Sequence, residues 1–139
     1  MPTPFRTTRL VEFQETDAAG IVHFGTFFSW MEQAEHEMLR GLGLSVMMKD
    51  DGGKISWPRV HASCDFQSPL HFEDTVEIEI RVDNIGDKNV DYHFHFTCQG
   101  RAIAEGKMVA VCCRVERGEP LRSISIPPWI VEKLSVFRC

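Results

Sequence analysis

The chain has 139 residues, a length that fits one domain, residues 1–139, with a buried core. Hydrophobic residues make up 43% and charged residues 25%, which excludes a disordered polymer. Fifteen Lys+Arg against 20 Asp+Glu leave a net charge of −5 without any run of three cations, so no nucleic-acid interface is expected.

Residues 5–15 run extended, with Val11 and Phe13 on one face, and predict a first strand. The pattern breaks around Gly20. Phe27, Met31, Ala34, Met38 and Leu42 then recur at helical spacing, with Trp30 beside them. Glu32, Gln33, His36 and Arg40 take the other side, so an amphipathic helix over about 25–42 is expected. Thr26 could cap it, unless the helix begins a turn earlier; Gly41 and Gly43 are stop signals. Residues 44–57, with Asp50-Asp51-Gly52-Gly53, read as a loop.

Pro58 to Gln67 reads as a strand ended by Ser68-Pro69-Leu70. Val76, Ile78, Ile80 and Val82 alternate with charged residues, as do Val90, Tyr92, Phe94, Phe96 and Cys98 with polar ones. These are two half-buried strands, and Gln99-Gly100-Arg101 is a hairpin turn. Residues 102–115 predict one long central strand, and Pro127-Pro128 a short helix through Phe137. The class is α+β, one long helix against a curved antiparallel sheet of about five strands. One helix cannot cover both sheet faces, so self-association is expected.

No stretch of about 18 apolar residues occurs, so no membrane span is expected, and the first residues lack the apolar region of a signal peptide. Cysteines 64, 98, 112, 113 and 139 form no CxxC pair and sit mostly in apolar runs. They fit a reduced, cytoplasmic compartment and argue against structural zinc.

The segment from Phe13 to Gly25 carries the chemistry. Asp17 is a carboxylate just ahead of the helix, and Ala18, Ala19 and Gly20 let a ligand approach the backbone. The helix start offers unpaired N–H groups. Acyl transfer needs such a base or nucleophile beside an oxyanion site; a turn or capping role for Asp17 is the structural alternative. His93 and His95 share a strand face, but no third ligand at recognisable spacing completes a metal site, and His61 and His71 have no clear partner.

The run from Asp17 through Gly20-Ile21-Val22 to Trp30, Glu32 and Ala34 resembles the signature of hot-dog-fold acyl-CoA thioesterases, the 4-hydroxybenzoyl-CoA thioesterase family. The strand order is similar over nearly the whole chain. The resemblance implies a hot-dog fold and hydrolysis of an acyl-CoA to CoA and a carboxylic acid, with neither metal nor organic cofactor. It implies that Asp17 activates water or attacks the thioester, with the N–H groups of Phe24 and Gly25 polarising the carbonyl. His23 stands where the family commonly has an aromatic residue, and is a candidate catalytic partner. Glu32 is a rival base. Gly20, Phe27, Trp30, Arg59, Lys88 and Asn89 are candidate substrate-binding residues, Arg59 and Lys88 for the phosphates of coenzyme A. Family grooves lie between subunits, which implies a homodimer or homotetramer. Two alternatives are a hot-dog hydratase or dehydratase pairing Asp17 with His23, and a non-catalytic acyl-CoA-binding module.

Overall fold

A computed structural model describes residues 3–138; Cys139 and the first two residues of the leader reading lie outside them. Strand β1, Phe5–Leu10, ends in a 3-10 turn at Phe13–Glu15. The strand is therefore shorter than its apolar pattern suggests, because Glu12 and Glu15 close a reciprocal capping box there. Helix α1, Phe24–Gly41, buries Phe27, Trp30, Met31, Ala34, Glu35, Met38 and Leu39 on one stripe. It ends in a Schellman motif. Gly43 adopts φ +77°, its N–H donates to the Arg40 carbonyl, and that of Leu44 donates to Leu39.

The residues expected to be loop form a small hairpin, β2 (Met48–Asp50) and β3 (Gly53–Ser56). Strands of three and four residues carry too little alternation to be read from sequence. Asp50 closes the turn by accepting from the Gly52 N–H at 2.9 Å, and pairs with Arg114 at 2.6 Å. Arg114 holds the Asp50 carboxyl below the usual carboxylate range.

Then follow β4 (Arg59–Phe66), β5 (Thr75–Ile85), β6 (Asn89–Cys98) and β7 (Arg101–Val111). The chain ends with β8 (Cys113–Val115), β9 (Arg122–Ser123) and helix α2 (Pro128–Leu134), which a 3-10 turn extends to Phe137. The long final strand breaks at Cys112, whose N–H donates to the Lys88 carbonyl and whose carbonyl accepts from Ile124.

The main antiparallel sheet has the order β1-β5-β6-β7-β4, and the smaller one β2-β3-β8-β9. Breaks at Trp57-Pro58 and at Cys112 lead β3 into β4 and β7 into β8, so the smaller sheet continues the larger around a bend. Strands β5, β6 and β7 form the expected meander. Strand β4 does not join β5; it crosses to the far side and pairs with β7. The crossing segment, residues 67–74, is pinned by Gln67 and Ser68 N–H to the Ile103 carbonyl and by Val22 N–H to Leu70. Helix α1 covers the sheet face bearing Ile78, Ile80, Phe94, Phe96, Ala104 and Met108. The α+β hot-dog arrangement is thus in place. No helix among the described residues is long and apolar enough to cross a membrane.

Candidate active site

Between the Asp17 loop, the start of α1 and the crossing segment lies a cleft of about 500 Å³. Asp17 stands at one side; Val22, Phe27 and Leu70 form a buried apolar floor, and Phe24 and Phe66 the walls. The walls are 62% and 50% exposed, so the cleft is open along that edge.

The loop is shaped by its own hydrogen bonds. Asp17 donates its N–H to the Ile21 carbonyl at 2.9 Å, and its carbonyl accepts from Gly20, which takes φ +80°. Asp17 Oδ1 accepts from the Ala19 N–H at 2.9 Å, a local Asx turn that fixes the carboxylate's direction. Oδ2 has no hydrogen-bond partner among the described residues. The carboxylate is therefore both a turn residue and a base with one oxygen available.

Glu15 anchors the loop, a role the sequence reading missed. Its carbonyl accepts from the His23 N–H, and its Oε2 from Trp30 Nε1 at 3.1 Å. Its Oε1 accepts from the Glu12 N–H at 2.8 Å. Trp30 is 1% exposed and packs against Phe27 and Phe96; it supports the loop from the core and does not line the cleft. Phe27 does line it. Gly20 shapes the loop beside it without lining it.

His23, not Thr26, caps the helix. Its Nδ1 accepts from the Gly25 N–H at 3.0 Å, and its ring stacks on Phe24. That bond uses the Gly25 N–H, one of the two expected oxyanion donors. The Phe24 N–H, at the first helical position, has no acceptor among the described residues. It is the donor that remains for a carbonyl in the cleft. Gly25 has its own reason to be glycine: a Cβ there would lie 3.1 Å from His23 Nδ1. Glu32 faces solvent on the exposed side of α1 and takes no part in the cleft.

Arg59 is not available to a phosphate. It donates to both oxygens of Glu35, one at 2.8 Å. Glu35 is 1% exposed within the apolar stripe of α1, so the pair is an internal charge neutralisation. Tyr92 lies against it, and burial with the Glu35 charge pushes its hydroxyl well above its ordinary range. Lys88 is exposed in the β5–β6 turn, and Asn89 donates to Asp91 at 2.8 Å. Both sit at the far end of β6 from Phe96, which touches the cleft residue Phe27. Seven residues of strand separate them, about 23 Å at 3.3 Å per residue. Within one chain they do not reach the cleft.

The sequence reading also missed Phe66, Gln67, Ser68 and Leu70 as lining residues. Their only sequence signal is an apolar pair around Ser68-Pro69, which reads as an ordinary strand end. On the opposite sheet face, strand register brings Glu105 of β7 beside His93 and His95, a neighbour that sequence spacing does not show.

Residues 11–134 match the family model described as the thioesterase-like superfamily. The chain belongs to that superfamily. A 1,4-dihydroxy-2-naphthoyl-CoA hydrolase of Prochlorococcus marinus is 31% identical over 103 residues, covering 69% of this chain and 68% of that protein. A protein of Aquifex aeolicus named as an esterase is 30% identical over 131 residues, covering 94% and 98%. Among solved structures, a gentisyl-coenzyme A thioesterase superposes with a TM-score of 0.79 at 30% identity, covering 94% and 99%. This thioesterase-like chain is a thioester hydrolase.

Proposed function

We propose that the chain hydrolyses aromatic acyl-CoA thioesters with Asp17 as the reacting carboxylate. The observation that carries this reading is the pairing of Asp17, with one carboxylate oxygen unused, and the Phe24 N–H at one apolar cleft. The acyl group lies on Val22, Phe27 and Leu70, between the rings of Phe24 and Phe66. Flat aromatic walls suit an aromatic acyl group. The naphthoyl and gentisyl substrates in the names of two relatives point the same way.

The thioester carbonyl oxygen accepts from the Phe24 N–H, reinforced by the partial positive charge of the helix start. Asp17 takes a proton from water as the water oxygen bonds to the carbonyl carbon. The tetrahedral oxyanion collapses, the C–S bond breaks, and the proton passes to the CoA sulfur. In the covalent variant, Asp17 itself attacks, CoA leaves, and water cleaves the mixed anhydride. One turnover in ¹⁸O water tests the covalent route: label entering the Asp17 side chain would exclude direct water attack. Neither route routes a step through a metal or an organic cofactor.

The assembly we propose is a homodimer or homotetramer with each cleft closed by a neighbouring copy. The exposed rings of Phe24 and Phe66 support it, as does the outer edge of β4, which pairs with no strand among the described residues and exposes Val60 and Ala62. Lys88 and Asn89 would then serve a partner's cleft. The hydratase alternative is disfavoured, because His23 Nδ1 is committed to capping. Comparing kcat/KM for benzoyl-CoA derivatives and straight-chain acyl-CoAs tests the acyl assignment. A preference for aromatic thioesters of at least ~10-fold, the scale of pocket discrimination, is expected; a preference for aliphatic ones would contradict it.

A further inference from the structure

The outer face of the main sheet, away from α1, carries an unusual group of donors. His93 and His95 alternate with the buried Phe94 and Phe96, so both imidazoles point outward from β6. Glu105 lies in register with His95 on β7. Its carboxylate divides between the two rings: Oε1 is 3.4 Å from His95 Nδ1, and Oε2 is 3.9 Å from His93 Nε2. One ligand atom from each of the three residues lies within 4.8 Å of the others. The imidazole centroids are 4.6 Å apart with planes at 67°, so the rings converge without stacking.

We propose that His93, His95 and Glu105 bind a borderline divalent transition metal, Zn²⁺ in the first instance, as a clamp between β6 and β7. Tetrahedral zinc with bonds of about 2.0–2.2 Å needs donors about 3.3–3.5 Å apart. His95 Nδ1 lies 3.4 Å from one Glu105 oxygen and His93 Nε2 3.9 Å from the other, and side-chain rotations bring one donor of each residue, now within 4.8 Å of one another, to that spacing. Two neutral imidazoles and one carboxylate, with water in the fourth position, suit zinc and cobalt and are poor for Mg²⁺ or Ca²⁺. The site is half-buried, which limits competition from solvent.

The neighbouring charges are compatible. Glu79, in register with His95 from β5, brings a second carboxylate to this face; its Oε1 is buried, has no hydrogen bond among the described residues and lies 3.7 Å from Arg6. Arg81 and Lys107 flank His93 in register. Arg81 is drawn toward Glu79 at 3.7 Å, and Lys107 is exposed and long enough to carry its charge into solvent. The clamp sits on the face opposite the cleft, so it stabilises the sheet and takes no part in the hydrolysis proposed above.

The test is titration of tag-free full-length protein with Co²⁺ alone, followed by competition with Zn²⁺. The expected result is one Co²⁺ per chain, with visible d–d bands of a four-coordinate site and a higher melting temperature on Zn²⁺ addition. His93→Ala and His95→Ala are each expected to weaken binding at least ~10²-fold. Glu105→Gln, the mildest change, guards against variants that misfold and is expected to weaken binding at least ~10-fold. Thioesterase activity of metal-stripped protein is expected to be unchanged. Binding equal in Glu105→Gln and wild type, a thiolate-to-cobalt band marking cysteine ligands, or no saturable binding in wild type would each overturn the proposal.

Discussion

At the scale of single residues, the same side-chain type does different work according to what faces it. Arg59 and Lys88 both read as cations for coenzyme A, but Arg59 faces Glu35 inside the core. Removing it takes the guanidinium from a carboxylate that is 1% exposed, leaving only Tyr92 and His36 beside it. Arg59→Ala is therefore expected to destabilise the chain by about 3–5 kcal/mol, as for other broken buried pairs, without a selective rise in KM for CoA thioesters. Urea denaturation with parallel kinetics checks this. The cysteines give a second case. Burial pushes the Cys64 and Cys112 thiols up to about 11 from 9.0. A raised thiol pKa means little thiolate at pH 8, so iodoacetamide should label native Cys64 about 100-fold more slowly than an unshifted thiol. Its rate should rise about tenfold per pH unit toward 11, as peptide mass spectrometry would record. Rapid labelling at pH 8 would contradict the burial.

At the scale of elements, the long helix and the alternating strands β5 and β6 were legible because periodicity extends over many residues. The β2–β3 hairpin was not, since its strands are too short to establish a period. The partner of β4 was not legible either, because sequential strands usually pair and only the pinned crossing segment moves β4 to the far edge. Close approach of α1 to the sheet rests on Gly106 of β7. A Cβ there would collide with Met31 Sδ, and the Ser63 carbonyl stands 3.4 Å away. Met31 is fully buried and has little room to yield. Gly106→Ala is expected to cost about 1–3 kcal/mol by overpacking, read as a lower urea midpoint. An unchanged midpoint would show that Met31 repacks freely.

At the scale of the molecule, the Asp17 loop was recognisable from its motif, but the cleft was only half visible. Phe27 and the loop come from one continuous segment; Phe66, Ser68 and Leu70 come from a crossing whose position is tertiary. Likewise, Glu105 joins His93 and His95 only through strand register. The exposed aromatic walls and the distance of Lys88 from the cleft set an expectation for assembly. Sedimentation should find a dimer or larger, and Lys88→Ala should raise KM for acyl-CoA several-fold while leaving kcat near wild type. A monomer with full activity would contradict the shared cleft.

The most direct measurement is free CoA released from a panel of acyl-CoAs by wild type and Asp17→Asn, detected by chromatography, which resolves CoA from any protein thiol. The substitution keeps the Asx turn with Ala19, since an amide oxygen accepts the same N–H, but removes the carboxylate. Wild-type turnover with a loss of at least ~10²-fold in Asp17→Asn is the expected result. Undiminished turnover in Asp17→Asn would contradict the assignment of Asp17 as the reacting carboxylate.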